Sequence, residues 1–267
     1  MAADVLVAEA GSRKRSRRFV RILDLVAERG SVTLQELVDT LGVSPATARR
    51  DLTELADQRL VLRTHGGARA LDHGSELPVE LRDTKFQDAK RAIARAVAAR
   101  IPRERHAVAL SGGTTTARVA VELAAHPLVT IVTNSLTIAE LVRTHPQLRV
   151  VMTGGSLRPQ SLELVGALAE RTFGAVNIGT AILGADGIEA GAGVTTHDDT
   201  EARTNHAMVG SAQRTIVVAD GSKVGRVTLA QMASLDQVDM FVTDSSADPG
   251  ELARIRAAGV EVVVADA

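Results

Sequence analysis

Five short clusters of glycine, hydroxyl and charged residues recur through the later part of the chain, each directly behind an apolar run. Ser111-Gly112-Gly113-Thr114-Thr115-Thr116 follows AVAL (107–110), Thr133-Asn134-Ser135 follows VTIV (129–132), and Thr153-Gly154-Gly155 follows LRVVM (148–152). Gly184-Ala185-Asp186-Gly187 follows TAIL (180–183), and Asp220-Gly221-Ser222-Lys223 follows TIVVA (215–219). Apolar runs that are continuous rather than alternating suit strands buried on both faces, as in a mostly parallel sheet. The strand ends of an open parallel sheet converge on one edge, where such folds bind ligands, so the five clusters predict a single pocket. SGGTTT has the character of a phosphate loop. Its glycines free backbone N–H groups, its threonines add hydroxyl donors, and a helix is predicted to begin there with its positive dipole end. Lys223 is then placed to neutralise a phosphate, and Asp186 and Glu201 to accept bonds from sugar hydroxyls. SGGTTT is neither a Walker loop nor a GxGxxG, and a tight strand-to-helix turn also accounts for it when taken alone.

A second chemistry lies nearer the N-terminus, in VSPATARRDL (43–52). Ser44 suits an N-cap and Pro45 the first helical position, while Ala48, Leu52 and Leu55 share one face. The opposite face carries Ala46, Arg50 and Thr53, flanked by Thr47 and Arg49. A helix that reads DNA needs small side chains for close approach, guanidinium forks for guanine edges and phosphates, and hydroxyls for the backbone. Ser44, Ala46, Thr47, Arg49 and Arg50 supply these within two turns. Behind them, residues 60–71 read as strand, His-Gly-Gly turn and strand. In this wing Arg63, Thr64, His65, Gly66 and Gly67 are able to follow the adjacent phosphates. The basic run RKRSRR (13–18) offers a sequence-independent clamp on the DNA backbone; a solvated helix face and a disordered tail are the blander accounts.

These residues need scaffolding, and the periodicity supplies it. Phe19, Ile22, Leu23 and Val26 recur at helical spacing and Gly30 ends that helix. Thr33-Leu34-Gln35-Glu36 is a capping box opening a second helix, with Leu34, Leu37, Val38 and Leu41 on its buried side and Gly42 as its stop. With the third helix this makes a helix-turn-helix over about residues 32–56, followed by the wing at 60–71. The predicted organisation is a disordered tail (1–14), a winged helix-turn-helix domain (15–71), a linker (72–85) and an α/β domain (86–267). In the last, helices near 86–100, 115–125, 135–144, 199–212 and 249–258 alternate with the apolar runs above and with MFVT (240–243) and VEVVV (260–264).

Composition narrows the function. The net charge is −1, but residues 13–69 carry twelve Lys/Arg against seven Asp/Glu, the balance of an anion-seeking module. There is no Trp and no Tyr, which argues against aromatic base-stacking or sugar-stacking platforms. The absence of Cys removes thiol catalysis and thiolate metal sites and fits a cytoplasmic protein. The seven His residues are scattered without ligand spacing, so neither a metal nor a cofactor is expected. No catalytic serine elbow occurs. The N-terminus does not read as a signal peptide, and no run approaches the roughly 20 apolar residues of a membrane span.

With VSPATARRDL (43–52) and RTHGGA (63–68) in view, the chain resembles the DeoR family of bacterial transcription regulators. The segments GGTTT, TNS, TGG, GADGI, an acid at Glu201 and DGSK also recur in the order of that family's effector domain. The resemblance implies an α/β fold class: a small N-terminal winged helix-turn-helix domain, then a Rossmann-like, sugar-phosphate-isomerase-type parallel α/β domain that also oligomerises. It implies a repressor of a carbohydrate operon, working as a homo-oligomer on double-stranded operator DNA and released by a phosphorylated sugar. Within the family pattern, Ala48 replaces an Ile on the buried side of the recognition helix, Ser111 replaces an Asp common before the Gly-Thr-Thr, and Asn205 stands where a Lys often follows. The last two bear on ligand choice. The alternative is a sugar-phosphate isomerase or deaminase with an accessory DNA-binding domain, in which Asp186, Glu201 and Lys223 would act as acid and base.

Overall fold

Helical periodicity at the N-terminus becomes three helices packed on a small sheet. The computed structural model describes residues 2–58, 60–71 and 76–266, and the chain divides into two compact units on either side of the Lys85–Phe86 bond. In the first unit, α1 (Ala2–Arg29), β1 (Ser31–Thr33), α2 (Leu34–Leu41) and α3 (Pro45–Asp57) precede the wing strands β2 (Leu62–Thr64) and β3 (Gly67–Arg69). The strand order is β1-β3-β2, antiparallel throughout. Phe19, Ile22, Leu25, Leu37, Ala48, Leu52 and Leu55 are buried together, so the stripes of all three helices meet in one core.

Two features depart from the sequence reading. Helix α1 starts at Ala2, so it takes in residues 2–14, expected as a disordered tail; alanines at positions 2, 3, 8 and 10 favour helix there. The linker prediction also changes. Residues 72–75 lie outside the described residues, but the chain beyond them folds back as α4 (Val79–Arg82), with Val79 and Leu81 buried in the N-terminal unit. Lys85 Nζ reaches Asp24 Oδ1 on α1 at 2.6 Å, anchoring the segment. Leu77 packs against the same core.

The second unit is built on a seven-stranded parallel sheet of β4 (His106–Leu110), β5 (Val129–Thr133), β6 (Arg149–Met152), β9 (Thr180–Gly184), β12 (Thr215–Val218), β14 (Met240–Asp244) and β15 (Glu261–Ala265). These are the seven apolar runs. Val108 and Leu110 join one hydrophobic cluster while Ala109, between them, joins the other; Ile131 and Val132 divide in the same way. These strands therefore bury both faces, the physical reason that their apolar residues are consecutive rather than alternating. Helices α5 (Gln87–Ala98), α6 (Thr114–Glu122), α7 (Leu136–Val142), α9 (Asp199–Gly210) and α10 (Pro249–Ala257) fall on the predicted helical segments.

The order β15-β14-β12-β9-β4-β5-β6 reverses direction between β4 and β9. A crevice opens at such a switch point, outside the carboxyl ends of the two strands. SGGTTT follows β4 and GADG follows β9, so these two clusters flank it. Antiparallel pieces that the sequence reading does not contain are inserted around this edge: the hairpin β7 (Ser156–Arg158) and β8 (Glu163–Val165), and the sheet of β10 (Gly187–Glu189), β11 (Gly193–Thr196) and β13 (Ala230–Ala233). Helix α8 (Ala167–Gly174), between β8 and β9, is likewise absent from that reading.

Candidate functional site

The DNA-facing candidate is assembled by caps. Thr33 Oγ1 accepts from Glu36 N while the Glu36 carboxylate accepts from Thr33 N, closing the capping box of α2. Gly42, with φ of +61°, takes the left-handed position that ends the helix, and its N–H bonds Val38 O at 3.0 Å. Ser44 then caps α3 by accepting from Thr47 N at 3.2 Å, with Pro45 behind it. The result is the expected division of α3: Ala48, Leu52 and Leu55 are buried, while Ala46, Arg49, Arg50 and Thr53 are exposed and Thr47 is half-buried. Ser44→Ala is expected to destabilise the N-terminal unit by about 1 kcal/mol, the usual worth of such a cap, read as a lower unfolding midpoint by calorimetry.

Asp51, within the Arg-Arg-Asp-Leu segment, has a role that the sequence reading missed. It is buried, and Arg18 of α1 grips it through two guanidinium nitrogens, Nε on Oδ2 and Nη2 on Oδ1, the latter at 2.9 Å. Arg15 pairs with Glu54 one turn further along α3 and lies over the Phe19 ring. The basic run is thus split: Arg15 and Arg18 brace the recognition helix from behind, while Lys14 and Arg17 are exposed. Arg15 and Arg18 are engaged within the protein rather than offered to a clamp on the DNA backbone.

In the wing, Arg63 Nη1 donates to Thr53 Oγ1 at 2.7 Å, and Thr53 Oγ1 donates to Arg49 O at 2.9 Å, tying the wing to α3. His65 and Gly66 are exposed at the turn. Gly67, grouped by sequence with the DNA-facing residues, is turned inward: it is buried, and a Cβ there would lie 1.9 Å from Val32 O. Its lack of a side chain serves the approach of β3 to β1.

At the switch point of the second unit, Ser111 is buried, and its Oγ accepts from Gly184 N at 3.0 Å and donates to Gly112 O at 3.1 Å. Gly113 has φ of +124°, Thr114 is half-buried, Thr115 is buried, and Thr116 is buried with its hydroxyl donating to Gly113 O. Ser111 and Thr116 therefore shape the loop and hold its ends. The Gly112 N–H, offered by sequence to a phosphate, donates here to Glu163 Oε1 at 2.7 Å. Thr133 and Ser135 are spent on local bonds, to Leu110 O and as the N-cap of α7. Asn134 lies between them, fully buried, and neither its Oδ1 nor its Nδ2 has a hydrogen-bond partner among the described residues. Gly154 and Gly155 both have positive φ, and a Cβ on Gly155 would meet Val165 O of β8 at 2.7 Å.

The charged residues form one connected group. Lys223 Nζ is 3.5 Å from Asp186 Oδ1, and Thr196 Oγ1 is 3.2 Å from Asp186 Oδ2 and 2.7 Å from Glu201 Oε1. Arg158 reaches Glu201 Oε2 at 3.0 Å and Asp198 Oδ2 at 3.3 Å. Burial, and then the nearby charge of Glu163, pushes the Glu201 carboxyl well above the usual carboxylate range, against the opposing pull of Thr196 and Arg158. Asn205 is buried on α9 with its Nδ2 directed at Met232 Sδ. Sequence reasoning missed Arg158, Glu163, Thr196 and Asp198. The first three lie on short antiparallel strands and Asp198 caps α9, so none falls directly behind a parallel strand. Among the described residues, no group of three or more potential ligands is arranged to hold a metal ion.

Residues 18–73 match the family model described as a DeoR-like helix-turn-helix domain, and residues 85–245 match the one described as the DeoR C terminal sensor domain. The chain is similar to the HTH-type transcriptional regulator GlpR of Haloferax volcanii, 36% identical over 93% of this chain and 97% of that one. It is similar to the Glycerol-3-phosphate regulon repressor of Escherichia coli, 34% identical over 87% of this chain and 92% of that one. Solved structures that resemble it include ribose 5-phosphate isomerase A of Methanocaldococcus jannaschii, with a TM-score of 0.39 at 16% identity over 51% of this chain and 54% of that one.

Proposed function

The chain belongs to the DeoR family of transcription regulators, and from that premise we propose that it represses a carbohydrate operon and leaves its operator when a phosphorylated sugar or sugar alcohol fills the pocket at the switch point. Membership sets aside the isomerase or deaminase alternative, because the matched models and relatives are named as regulators and sensors. The observation that carries the proposal is the union, in one chain, of an exposed two-arginine helix face with a glycine loop whose amide already holds a carboxylate.

Under this reading Ser44, Thr47, Arg49 and Arg50 contact the major groove and its phosphates, with Ala46 allowing the close approach. Arg63, His65 and Gly66 lie along the flanking backbone. The loop from Gly112 to Thr115 holds the phosphate with Lys223 as counter-charge, and Asp186, Glu201 and Asn134 take the hydroxyls. The protein acts in the cytoplasm as a homo-oligomer, whose symmetry would match paired half-sites. No helix among the described residues is long and apolar enough to cross a membrane.

The test is fluorescence anisotropy of labelled DNA from upstream of the protein's own gene, titrated with protein and then with a panel of sugar phosphates at fixed salt. Specific binding reversed by one compound is the expected result; binding indifferent to every compound would remove the effector from the proposal. In the same assay Arg50→Ala is expected to weaken operator binding by about 1 to 3 kcal/mol and to relax sequence preference at one position. Unchanged affinity would take Arg50 out of the interface.

A further inference from the structure

We infer that Thr53 is a positioning residue for the wing: its hydroxyl holds the Arg63 guanidinium against the exposed side of α3 and so fixes which DNA phosphate that arginine meets. The inference rests on the DNA-facing reading of α3 and the wing. Arg63 Nη1 donates to Thr53 Oγ1 at 2.7 Å, and the hydroxyl itself donates to Arg49 O at 2.9 Å. With its proton spent on the helix backbone, Thr53 has only acceptor capacity left to offer, and a guanidinium has only donors.

The backbone that carries Arg63 is already held. Leu60 N bonds Leu55 O at 2.8 Å just after α3, and Leu34 N bonds Gly66 O at 2.7 Å at the wing turn. Between these ties Arg63 lies directly opposite Ala68 in the β2–β3 register, and opposed residues share a face of the sheet. Ala68 is buried in the core of the unit, whereas Arg63, on an edge strand of the β1-β3-β2 sheet, is exposed. Its side chain therefore leaves the sheet on the side that carries the helices and runs out beside α3. What remains free is the rotamers of a long side chain, and the bond to Thr53 removes that freedom.

Charge gives the reason for a neutral partner. Two carboxylates of α3 are engaged from α1, Asp51 by Arg18 and Glu54 by Arg15. Arg49, Arg50 and Arg63 pair with no carboxylate among the described residues. Thr53 follows Arg50 by three residues and Arg49 by four, so it adjoins both on the helix surface. Arg63 is thereby brought to a surface where two other guanidinium groups keep their charge. A carboxylate at this position would hold Arg63 more firmly and would cancel the charge that attracts phosphate. A hydroxyl sets the direction of the group and leaves its charge and its other N–H donors for the DNA backbone.

Fluorescence anisotropy with labelled DNA from upstream of the protein's own gene, repeated over a series of salt concentrations, tests this in the full chain with Thr53→Val, Thr53→Ser, Arg63→Ala and the double variant Thr53→Val, Arg63→Ala. Thr53→Val keeps the shape and loses the hydroxyl; it is expected to weaken binding about two- to tenfold, the cost of ordering one long side chain on association, with an unchanged salt slope because Arg63 still reaches phosphate. Thr53→Ser should bind like the parent. Arg63→Ala should reduce the salt slope by about one, and adding Thr53→Val to it should weaken binding no further. A Thr53→Val variant that binds like the parent overturns the inference. So does a Thr53→Val loss that persists undiminished without Arg63, since the hydroxyl would then act on the DNA or on α3 directly, and so does an Arg63→Ala variant with the parent's salt slope. Each of these leaves operator binding by the parent intact. A parent with no preference for upstream DNA overturns the DNA-facing reading and the inference together.

Discussion

Gly67→Ala is expected to unfold the wing and abolish specific operator binding. The added methyl would lie 1.9 Å from Val32 O, with Thr33 Cα at 2.8 Å, and both are backbone atoms that cannot rotate away. Relief requires β3 to separate from β1 along the register Val32↔Ala68 and Thr33↔Gly67. That separation also disturbs the bond from Leu34 N to Gly66 O, which joins the wing turn to the start of α2. Overpacking a well-filled core costs about 1 to 3 kcal/mol when side chains can adjust, and this site lies at or beyond the upper end. Calorimetry should show the N-terminal transition lowered or lost with that of the second unit unmoved, and anisotropy should show no preference for upstream DNA. A variant that melts and binds like the parent would mean that β1 and β3 are not in contact as described.

The second large effect is expected for Asp51→Ala. Asp51 accepts two bonds from Arg18, and its side chain is 5% exposed against 18% for Arg18. Removing the carboxylate strands a largely enclosed guanidinium, a loss of about 3 kcal/mol for a pair buried to this degree. Because the pair joins α1 to the middle of α3, the orientation of Arg49 and Arg50 should suffer along with stability. Operator affinity is therefore predicted to fall although Asp51 faces away from the DNA surface. The double variant Arg18→Met, Asp51→Leu separates the two effects: recovered stability with recovered affinity would show that the pair acts only by holding α3 in place.

The fold was legible in the sequence wherever one periodicity ran long enough to speak. Seven apolar runs became the seven parallel strands, and Thr33, Gly42, Ser44 and Pro45 announced the ends of α2 and α3 through chemistry local to a few residues. Strands β7, β8, β10 and β11 are three or four residues long and too short to establish alternation. The candidate site divides along the same line. Loop residues behind parallel strands could be nominated from sequence because topology brings such strand ends to one edge. Glu163 and Arg158 could not be, since their meeting with Gly112 and Glu201 depends on a hairpin folding over the sheet edge. Gly67 and Asp51 show a second kind of blindness: a motif marks a residue as necessary without saying whether it faces the ligand or the core.

The bond from Gly184 N to Ser111 Oγ has a kinematic consequence. Many effector-binding proteins have two lobes that swing together about a hinge, and the closing motion is the signal. Here the two banks of the crevice are neighbouring strands of one sheet, hydrogen-bonded along their length and stitched again at the rim by Ser111. With hydrophobic clusters on both faces of that sheet, neither bank is free to pivot. Such a pocket has no jaws to shut. A response to an occupant would then be carried by side chains on the rim rather than by the swing of a domain.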